Sequence, residues 1–352
     1  MKKDVLLSVR GVTKHYAVRS GFFSGTHQYL RAVDGVDLDI YQGETLGLVG
    51  ESGCGKSTLG RLILNLEKPT AGQVLYQGQD IYAASGAESK ALRREMQIIF
   101  QDPYSSLNPR MTVGNIIGEP LTIHQVARGK EKREQVLALM SEVGLREDMF
   151  NRYPHEFSGG QRQRVGIARA LALNPKLIVA DEPVSALDVS IQAQVINLLL
   201  DLQERHSLTY LFISHALAVV LYLSNRVAVM YLGLIVEMTE RRHIMADPKQ
   251  CHPYTEALLA AVPAPDPDRH KVAALLKDDL PSPINIPPGC RFHTRCPLAE
   301  DICRTTPPVF QEIAPGHSLA CHVRGVRGGV SCVLRVTGYG LRVASCGSFS
   351  LI

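Results

Sequence analysis

The segment from residue 44 to residue 66, ETLGLVGESGCGKSTLGRLILNL, decides the fold of this chain. It passes from a short apolar stretch through a glycine-rich turn into a second apolar stretch with helical character. Its centre, GESGCGKS at residues 50–57, matches the phosphate-binding pattern G-x-x-x-x-G-K-S/T in full. Because a strand-like stretch precedes the match and a helix-like stretch follows it, the segment predicts a Walker A loop and not a chance glycine-rich turn.

The residue types in this loop suit a nucleoside triphosphate. Glycines let backbone N–H groups close round the phosphates, and the start of the following helix adds a favourable dipole. We expect Lys56 to reach the β- and γ-phosphates and Ser57 to ligate Mg²⁺. The predicted ATP-binding positions of the loop are Gly50, Glu51, Ser52, Gly53, Cys54, Gly55, Lys56, Ser57 and Thr58.

Two further apolar runs predict buried strands of an α/β core. They are KLIVAD at residues 176–181 and TYLFIS at residues 209–214, and helical stretches separate them. The first run ends in Asp181, a Walker B pattern, so we expect Asp181 to hold Mg²⁺ together with Ser57. Glu182 follows directly, where a carboxylate can polarise the attacking water. Residues 5–40 are also β-rich, with a Gly/Ser/aromatic loop at residues 20–29.

Composition narrows the class of protein. The 352 residues carry 38 Lys and Arg against 34 Asp and Glu, a net charge of +4, and 45% are hydrophobic. This balance excludes chain-wide disorder and disfavours a dedicated nucleic-acid binder. The N-terminus has no signal-peptide core. The apolar stretch 216–236 contains Ser224, Asn225 and Arg226. A mid-span arginine costs about 2.5–3.5 kcal/mol, so we expect two buried elements joined by a polar turn.

A second glycine-rich element, FSGGQRQR at residues 157–164, opens a predicted helix and offers another anion site. Four single motifs accompany it in the chain: Tyr16 in TKHY, Gln101 in IIFQDP, SALD at residues 185–188, and His215 in FISH. Together, and in this order, these motifs resemble those of ABC ATPases over residues 5–245. The resemblance implies an α/β fold of the P-loop NTPase ABC type, with a RecA-like core, an antiparallel β subdomain and a helical subdomain in an ATPase domain at residues 1–245.

The resemblance also implies roles for the motif residues. In that family the ATPase works as a head-to-tail dimer. Each ATP lies between the Walker A loop of one subunit and the signature of the other, the motif that FSGGQRQR resembles. One copy of each motif therefore implies a second ATPase subunit, identical or related. The mild net charge and the lack of a long coiled-coil insertion favour no nucleic-acid partner. The implied catalytic residues are Glu182, His215, Lys56 and Gln101, and Gln101 joins Ser57 and Asp181 as a magnesium ligand. Further implied nucleotide contacts are Tyr16 on adenine, the signature residues Ser158, Gly159, Gly160 and Gln161, and Asp188 at the subunit boundary.

Several longer strings are similar to the oligopeptide/dipeptide/nickel importer branch of the family. They are SGFFSGTHQYLRAVDGV at 20–36, QDPYSSLNPRMTVGNIIGEPL at 101–121, CHPYTEALLAAVP at 251–263 and LPSPINIPPGCRFHTRCP at 280–297. This resemblance implies the second ATPase of a pair that powers peptide import, peripheral on the cytoplasmic face of the inner membrane. Its implied partners are two transmembrane permeases and an extracytoplasmic solute-binding protein.

Other functions stay open at this point. A nickel or other small-solute importer carries the same motifs, because substrate choice lies in other subunits. A soluble ABC protein acting on ribosomes or DNA is disfavoured, since this chain has neither a second cassette nor a long coiled-coil insertion. A redox or metal sensor built on cysteines is at best an accessory role.

Ala216 departs from the family pattern, which has Asp after the histidine that corresponds to His215. Without this acidic neighbour, His215 is expected to be held less firmly.

The region after residue 245 predicts a small Pro- and Cys-rich C-terminal extension at residues 246–325. Its cysteines Cys290, Cys296, Cys303 and Cys321 have the spacing C-x₅-C-x₆-C-x₁₇-C, which is not a C-x₂-C finger. Four thiolates can hold a 4Fe–4S cluster, which the resemblance implies for some members, while zinc and free thiols stay open. Residues 326–352 match nothing in the family and are interpreted as an atypical, disordered tail.

Overall fold

The computed structural model describes residues 4–19, 27–262 and 280–325. The strands are β1 (Val5–Arg19), β2 (His27–Tyr41), β3 (Thr45–Val49), β4 (Ala71–Tyr76), β5 (Gln79–Asp80), β6 (Met96–Ile99), β7 (Leu177–Asp181), β8 (Thr209–Ser214), β9 (Arg226–Tyr231), β10 (Leu234–Glu240), β11 (Phe310–Ala314) and β12 (His317–Ala320). The helices are α1 (Lys56–Ile63), α2 (Gly86–Glu95), α3 (Val113–Ile123), α4 (Gly129–Glu142), α5 (Gly159–Leu171), α6 (Val189–His206), α7 (Leu217–Leu223), α8 (Arg241–Ala246), α9 (Pro253–Ala260) and α10 (Asp301–Thr305). Short 3-10 turns lie at Glu147–Met149, Pro154–Glu156 and Pro248–Gln250.

An eight-stranded sheet forms the centre of the fold, in the order β11-β12-β10-β9-β3-β8-β7-β6. The five strands from β9 to β6 are parallel, and β10, β12 and β11 continue the sheet antiparallel. Every residue of β3, β7 and β8 is buried, as expected for parallel strands covered on both faces. The predicted α/β core is therefore confirmed, and the carboxyl ends of its parallel strands meet at one edge, where such sheets bind ligands.

A second, antiparallel sheet has the order β2-β1-β4-β5. Alternating apolar residues of β1 and β2 are buried and pack against Leu46 and Leu48 of β3 and Leu59 of α1. This sheet is the predicted antiparallel β subdomain, and it lies beside the phosphate-loop helix. The predicted loop at residues 20–29 was wrong for residues 27–29, which begin β2, and its residues 20–26 lie outside the described part of the chain.

A helical unit follows β6 and consists of α3, α4 and α5, which pack against one another. Val165, Ala168 and Leu171 form a buried apolar face of α5, and the helix predicted to begin in FSGGQRQR is confirmed. Residues 216–236 form α7, a turn at Ser224 and Asn225, β9 and the start of β10, so the stretch contains three elements where two joined by a polar turn were predicted. Among the described residues, no helix combines the length and apolar character needed to cross a membrane.

The C-terminal extension completes the main sheet. β12 pairs antiparallel with β10 through Glu237 opposite Leu319 and Thr239 opposite His317. No sequence pattern predicted these strands, because β11 and β12 are short and prolines flank β11. A buried carboxylate holds the junction: Glu237 accepts hydrogen bonds from the His252 N–H at 3.0 Å and from the Thr255 hydroxyl, and its other oxygen lies 2.6 Å from His317 Nε2. The predicted tail, residues 326–352, lies outside the described residues.

The stability of this junction is expected to depend on pH through His252. Complete burial lowers the pKa of His252 to about 4, against about 6.5 in an unfolded chain. As the pH falls from about 6.5 to about 4, the unfolded chain binds a proton that the folded chain refuses, so the free energy of unfolding falls by up to about 3 kcal/mol. Urea denaturation across this pH range measures the slope. The slope should flatten in His252→Gln and persist in His206→Gln, a surface control; equal slopes in both would contradict the expectation.

Candidate nucleotide-binding site

The loop between β3 and α1 is shaped by close backbone contacts. A Cβ at Gly50 would lie 2.2 Å from the Met230 carbonyl oxygen, and one at Gly55 would lie 2.0 Å from the Ala32 carbonyl oxygen. Gly55 also has a φ of 111°, in the left-handed region. β2 and β9 therefore press directly against the back of the loop, and only glycine fits at both positions.

Lys56 lies in the middle of this loop and is 4% exposed. Its ammonium donates to the Gly50 carbonyl at 2.8 Å and to the Glu51 carbonyl at 2.9 Å. An ammonium has three donors, and the third contact is Cys54 Sγ at 3.8 Å, a weak acceptor. The lysine thus fixes the loop with two protons and keeps one that a phosphate oxygen can take in place of the thiol.

Two of the three predicted magnesium ligands, Ser57 and Asp181, meet at the end of β7. The Ser57 hydroxyl donates to Asp181 Oδ1 at 2.9 Å. Burial raises the pKa of Asp181, and the charge of Glu182 adds to the effect while the Ser57 hydrogen bond opposes it. Hydroxyl and carboxylate oxygens are the ligands that Mg²⁺ prefers, so the donor set fits this ion.

Gln101, Glu182 and His215 come together from the ends of three neighbouring strands, β6, β7 and β8. Glu182 Oε2 accepts a hydrogen bond from Gln101 Nε2 at 2.9 Å and lies 3.3 Å from His215 Nδ1. Glu182 has a φ of 47°, a conformation that costs a non-glycine residue about 1–3 kcal/mol and is often found at functional sites. The His215 side chain is 51% exposed, so this carboxylate–imidazole pair opens to solvent.

Tyr16 lies on β1 at the side of the loop. Its hydroxyl donates to Glu67 Oε1 at 2.7 Å and contacts the Thr58 side chain on α1. The Lys14 ammonium lies 5.1 Å from the centre of the ring. The structure thus brings Tyr16 next to the Walker A helix, and its stacking on adenine stays a prediction.

The signature residues begin α5. Ser158 caps the helix by accepting from the Gln161 N–H at 3.3 Å, and Gln161 Oε1 accepts from the Ser158 N–H at 3.0 Å. A Cβ at Gly160 would lie 2.4 Å from Ile191 on α6, whereas Gly159 has Leu187 at 3.3 Å. Asp188 is the N-cap residue of α6. The signature and Asp188 therefore belong to the helical side of the fold, where the first-turn N–H groups of α5 suit an anion.

Two contacts to Glu51 had no signal in the sequence. The sequence predicted Glu51 only as a position of the phosphate loop, but its carboxylate is bound by both terminal nitrogens of Arg295, at 2.7 and 2.9 Å. The Glu51 N–H also donates to the Tyr254 hydroxyl at 2.8 Å. Both partners belong to the C-terminal extension and lie more than two hundred residues away in the chain, 244 and 203 respectively.

The four cysteines of the extension share one neighbourhood. Burial raises the pKa values of Cys290 and Cys296 to about 11, and the charges of Cys303 and Cys321 contribute to both. The Cys290 N–H donates to the Cys303 carbonyl at 2.8 Å. Among the described residues, the one group of three metal-ligating side chains within 4.8 Å is Glu237, Cys251 and His317. The four thiols are therefore spaced more widely than ligands of a single zinc ion.

Ala216, the departure from the family pattern, is the N-cap residue of α7 and makes no side-chain cap. We expect Ala216→Asp to raise the free energy of unfolding by about 0.5–2 kcal/mol, because an Asp accepts from the free N–H groups of the first turn. Thermal denaturation should show a rise in Tm of about 1–3 °C. Ala216→Asn caps the helix without adding a charge, so it separates the effect of the capping hydrogen bond from the effect of the charge. An unchanged Tm in both variants would contradict this prediction.

Comparisons with known proteins agree with this geometry. The family model for the ABC transporter matches residues 33–185, and that for the oligopeptide/dipeptide transporter C-terminal region matches residues 236–303. The chain is 53% identical to the oligopeptide transport ATP-binding protein AppF of Bacillus subtilis over 326 residues, covering 91% of this chain and 98% of that protein. It is 54% identical to a putative peptide import ATP-binding protein of Brucella ovis over 321 residues, with the same two coverages of 91% and 98%.

Solved structures give the same result for the ATPase region. A dimeric structure of the ATP-binding cassette MJ0796, in a post-hydrolysis state with ADP and Pi, has a TM-score of 0.59 and 31% identity. The match covers 67% of this chain and 99% of the MJ0796 chain. The structure of cbiO1 from Clostridium perfringens, part of an ABC transporter complex, has a TM-score of 0.59 and 26% identity, covering 70% and 93%. The chain belongs to the ATP-binding proteins of the ABC transporter family, in the group that carries the oligopeptide/dipeptide transporter C-terminal region.

Proposed function

We propose that the chain is the ATP-hydrolysing subunit of a peptide importer and acts at the edge of the main sheet described above. The observation that carries the proposal is the convergence there of Lys56, the Ser57–Asp181 pair, and Gln101 and His215 on Glu182. The C-terminal region and the names of the relatives support peptides as the substrate. A nickel or other small-solute importer is the alternative, since this site contacts ATP and not the solute.

The roles follow from the chemistry of phosphoryl transfer, in which the protein positions groups and stabilises charge. Lys56 binds the β- and γ-phosphates, and Ser57, Asp181 and Gln101 would hold Mg²⁺. Magnesium, when bound, neutralises charge on the phosphate oxygens. Glu182 accepts a proton from the attacking water, and His215 and Gln101 orient the Glu182 carboxylate. Tyr16 stacks on adenine.

A second ATPase subunit completes the site. The single signature, Ser158–Gln161, caps the γ-phosphate bound by the partner, and Asp188 lies at the boundary between the subunits. The dimeric form of the MJ0796 cassette supports this arrangement. We propose the same division of the chain as its sequence predicts, an ATPase domain at residues 1–245 and an extension at residues 246–325 whose strands complete the main sheet.

A groove of about 250 Å³ supports contact with a membrane permease. Its lining includes Leu66, Gln97 and Ile98 of β6, and Ile123 of α3. The side chains of Leu66 and Ile123 are 59% and 60% exposed. Gln101 follows β6 directly, so a permease segment seated against this strand would act on the Gln101–Glu182 hydrogen bond. We propose two such permeases, an extracytoplasmic solute-binding protein, and a peripheral position on the cytoplasmic face of the inner membrane.

We propose that Cys290, Cys296, Cys303 and Cys321 hold a 4Fe–4S cluster. The donor set fits, since the four thiols share one neighbourhood, backbone N–H groups of Phe292, Leu298 and Arg324 face the sulfurs of Cys290, Cys296 and Cys321, and the spacing exceeds that of a zinc site. Such a cluster would supply a covalent staple for a proline-rich segment. Iron and sulfide content of the anaerobically purified chain tests this, and zinc or neither element would contradict it.

The function is tested by purifying the chain from its native membranes in mild detergent. We expect a related ATPase and two multi-span permeases to accompany it. Reconstituted into vesicles, the complex should hydrolyse ATP faster when the solute-binding protein carries a peptide. Stimulation by Ni²⁺ instead would favour the alternative, and recovery with ribosomes or DNA, without permeases, would contradict the importer function.

A further inference from the structure

The phosphate loop is held from behind by the C-terminal extension, and the contact point is Glu51. Three groups of this residue are engaged at once. Its carboxylate binds Arg295 through two parallel hydrogen bonds, its N–H donates to the Tyr254 hydroxyl, and its carbonyl accepts from the Lys56 ammonium. Any shift of the Glu51 backbone therefore moves an acceptor that fixes the lysine proposed to bind phosphate.

Arg295 is a buried arginine that lies beside a cluster of aromatic side chains, and it is not a surface residue. Its side chain is 4% exposed, and its guanidinium carbon lies 6.0 Å from the centre of the Tyr231 ring. Tyr231, Tyr254 and Phe292 are fully buried and pack with ring centres 4.7, 5.3 and 5.4 Å apart. A bidentate arginine–carboxylate pair fixes direction as well as distance. The buried position of Arg295 beside the aromatic cluster therefore determines where Glu51 lies.

The turn that carries Arg295 is bounded by two of the four cysteines, Cys290 and Cys296. Within it, the Arg295 N–H donates to the Phe292 carbonyl at 3.0 Å and the Cys296 N–H to the His293 carbonyl at 3.4 Å. Cys290 is tied to the third cysteine, since its N–H donates to the Cys303 carbonyl. Whatever holds the thiols together thus fixes both ends of the turn from which Arg295 reaches the phosphate loop.

We propose that Arg295 is a positioning residue for the phosphate loop, and that the cysteine-bounded turn, residues 290–296, sets the affinity for nucleotide phosphates through the Arg295–Glu51 pair. The state of the thiols then controls ATP binding from outside the nucleotide site. This proposal rests on the assignment of residues 50–57 as the ATP site, and it holds for a metal cluster or for free thiols.

The test is calorimetric titration of the full-length chain with Mg-ATP. Arg295→Ala is expected to weaken binding by about 10- to 100-fold, since small displacements of a binding group carry costs of this size. Arg295→Lys should fall between Arg295→Ala and the unsubstituted chain, because lysine keeps the charge and loses the planar fork. Glu51→Gln should weaken binding alone and add little to Arg295→Ala, as expected for one interacting pair.

Arg226→Ala is the matched control. Arg226 is also a largely buried arginine paired with a carboxylate, Glu44 at 2.9 Å, but this pair lies at the amino end of β3, opposite to the phosphate loop. Its removal should leave Mg-ATP affinity within about twofold, as for a site that does not couple to the loop. If both arginine variants lose affinity in proportion to their loss of Tm, Arg295 acts only by stabilising the fold, and the proposal is wrong.

Cys296→Ser tests the second half of the proposal. It should weaken Mg-ATP binding in the otherwise unchanged chain and have no further effect when Arg295→Ala is present. An equal effect in both backgrounds, or none in either, would overturn control through the turn. A failure of the ATP-site assignment would look different from a failure of this proposal. If residues 50–57 do not bind the phosphates, Lys56→Ala would bind Mg-ATP as the unsubstituted chain does.

Discussion

Glu182→Gln is expected to leave Mg-ATP binding intact and to lower ATP turnover at least tenfold, since a general base contributes roughly 10²–10⁴-fold to the rate. The carboxylate lies beside the proposed magnesium ligand Asp181 and accepts from Gln101 at 2.9 Å. A glutamine of the same size keeps this contact and cannot take a proton from water. Phosphate release by the assembled complex measures turnover, and calorimetry measures binding.

The control for this substitution is Glu204→Gln, an exposed glutamate on α6, which should hydrolyse ATP at the normal rate. His215→Ala should also lower turnover, because His215 Nδ1 lies 3.3 Å from Glu182 Oε2. Normal turnover of Glu182→Gln in a complex with intact subunit composition would remove Glu182 from the catalytic role and leave the nucleotide-binding loop unaffected.

The parts of the site that lie next to each other in sequence could be predicted from the sequence. The Walker A loop, the strand ending at Asp181 and the helix beginning after Ser158 each depend on a contiguous pattern of apolar, glycine and capping residues. Parallel strands then bring Gln101, Glu182 and His215 to one edge, which follows from the order of the strands. The order of the strands in the sheet was not predicted, since the chain alone does not say which strand neighbours which.

The contacts of the C-terminal extension could not be predicted in this way. Arg295 sits in a proline-rich, irregular stretch and pairs with a residue 244 positions earlier, so no local period marks it. β11 and β12 were missed because their short alternation is weak, and their pairing with β10 depends on the buried carboxylate of Glu237. Glu237 itself reads as an ordinary strand glutamate until Thr255, His252 and His317 surround it.

Lys56→Ala is expected to abolish Mg-ATP binding at concentrations that saturate the unsubstituted chain. The ammonium contributes charge-assisted hydrogen bonds of about 1.5–3 kcal/mol each, and the loss of one or two of them weakens binding by about 10- to 10⁴-fold, at a factor of ten per 1.4 kcal/mol. The variant also leaves the Gly50 and Glu51 carbonyls without their donor, so the loop loses its internal tie as well as its phosphate contact.

Lys176→Ala removes an equally charged but half-exposed lysine, paired with Glu95 at 3.0 Å, and should bind Mg-ATP normally. The two large effects are then separable. Glu182→Gln accumulates a nucleotide-bound complex that does not turn over, whereas Lys56→Ala never forms one. If Lys56→Ala bound Mg-ATP as the unsubstituted chain does, the phosphates would have to be held by groups other than this loop. The fixed position of Lys56 between two loop carbonyls, with one proton facing only a thiol, would then have no ligand to explain it.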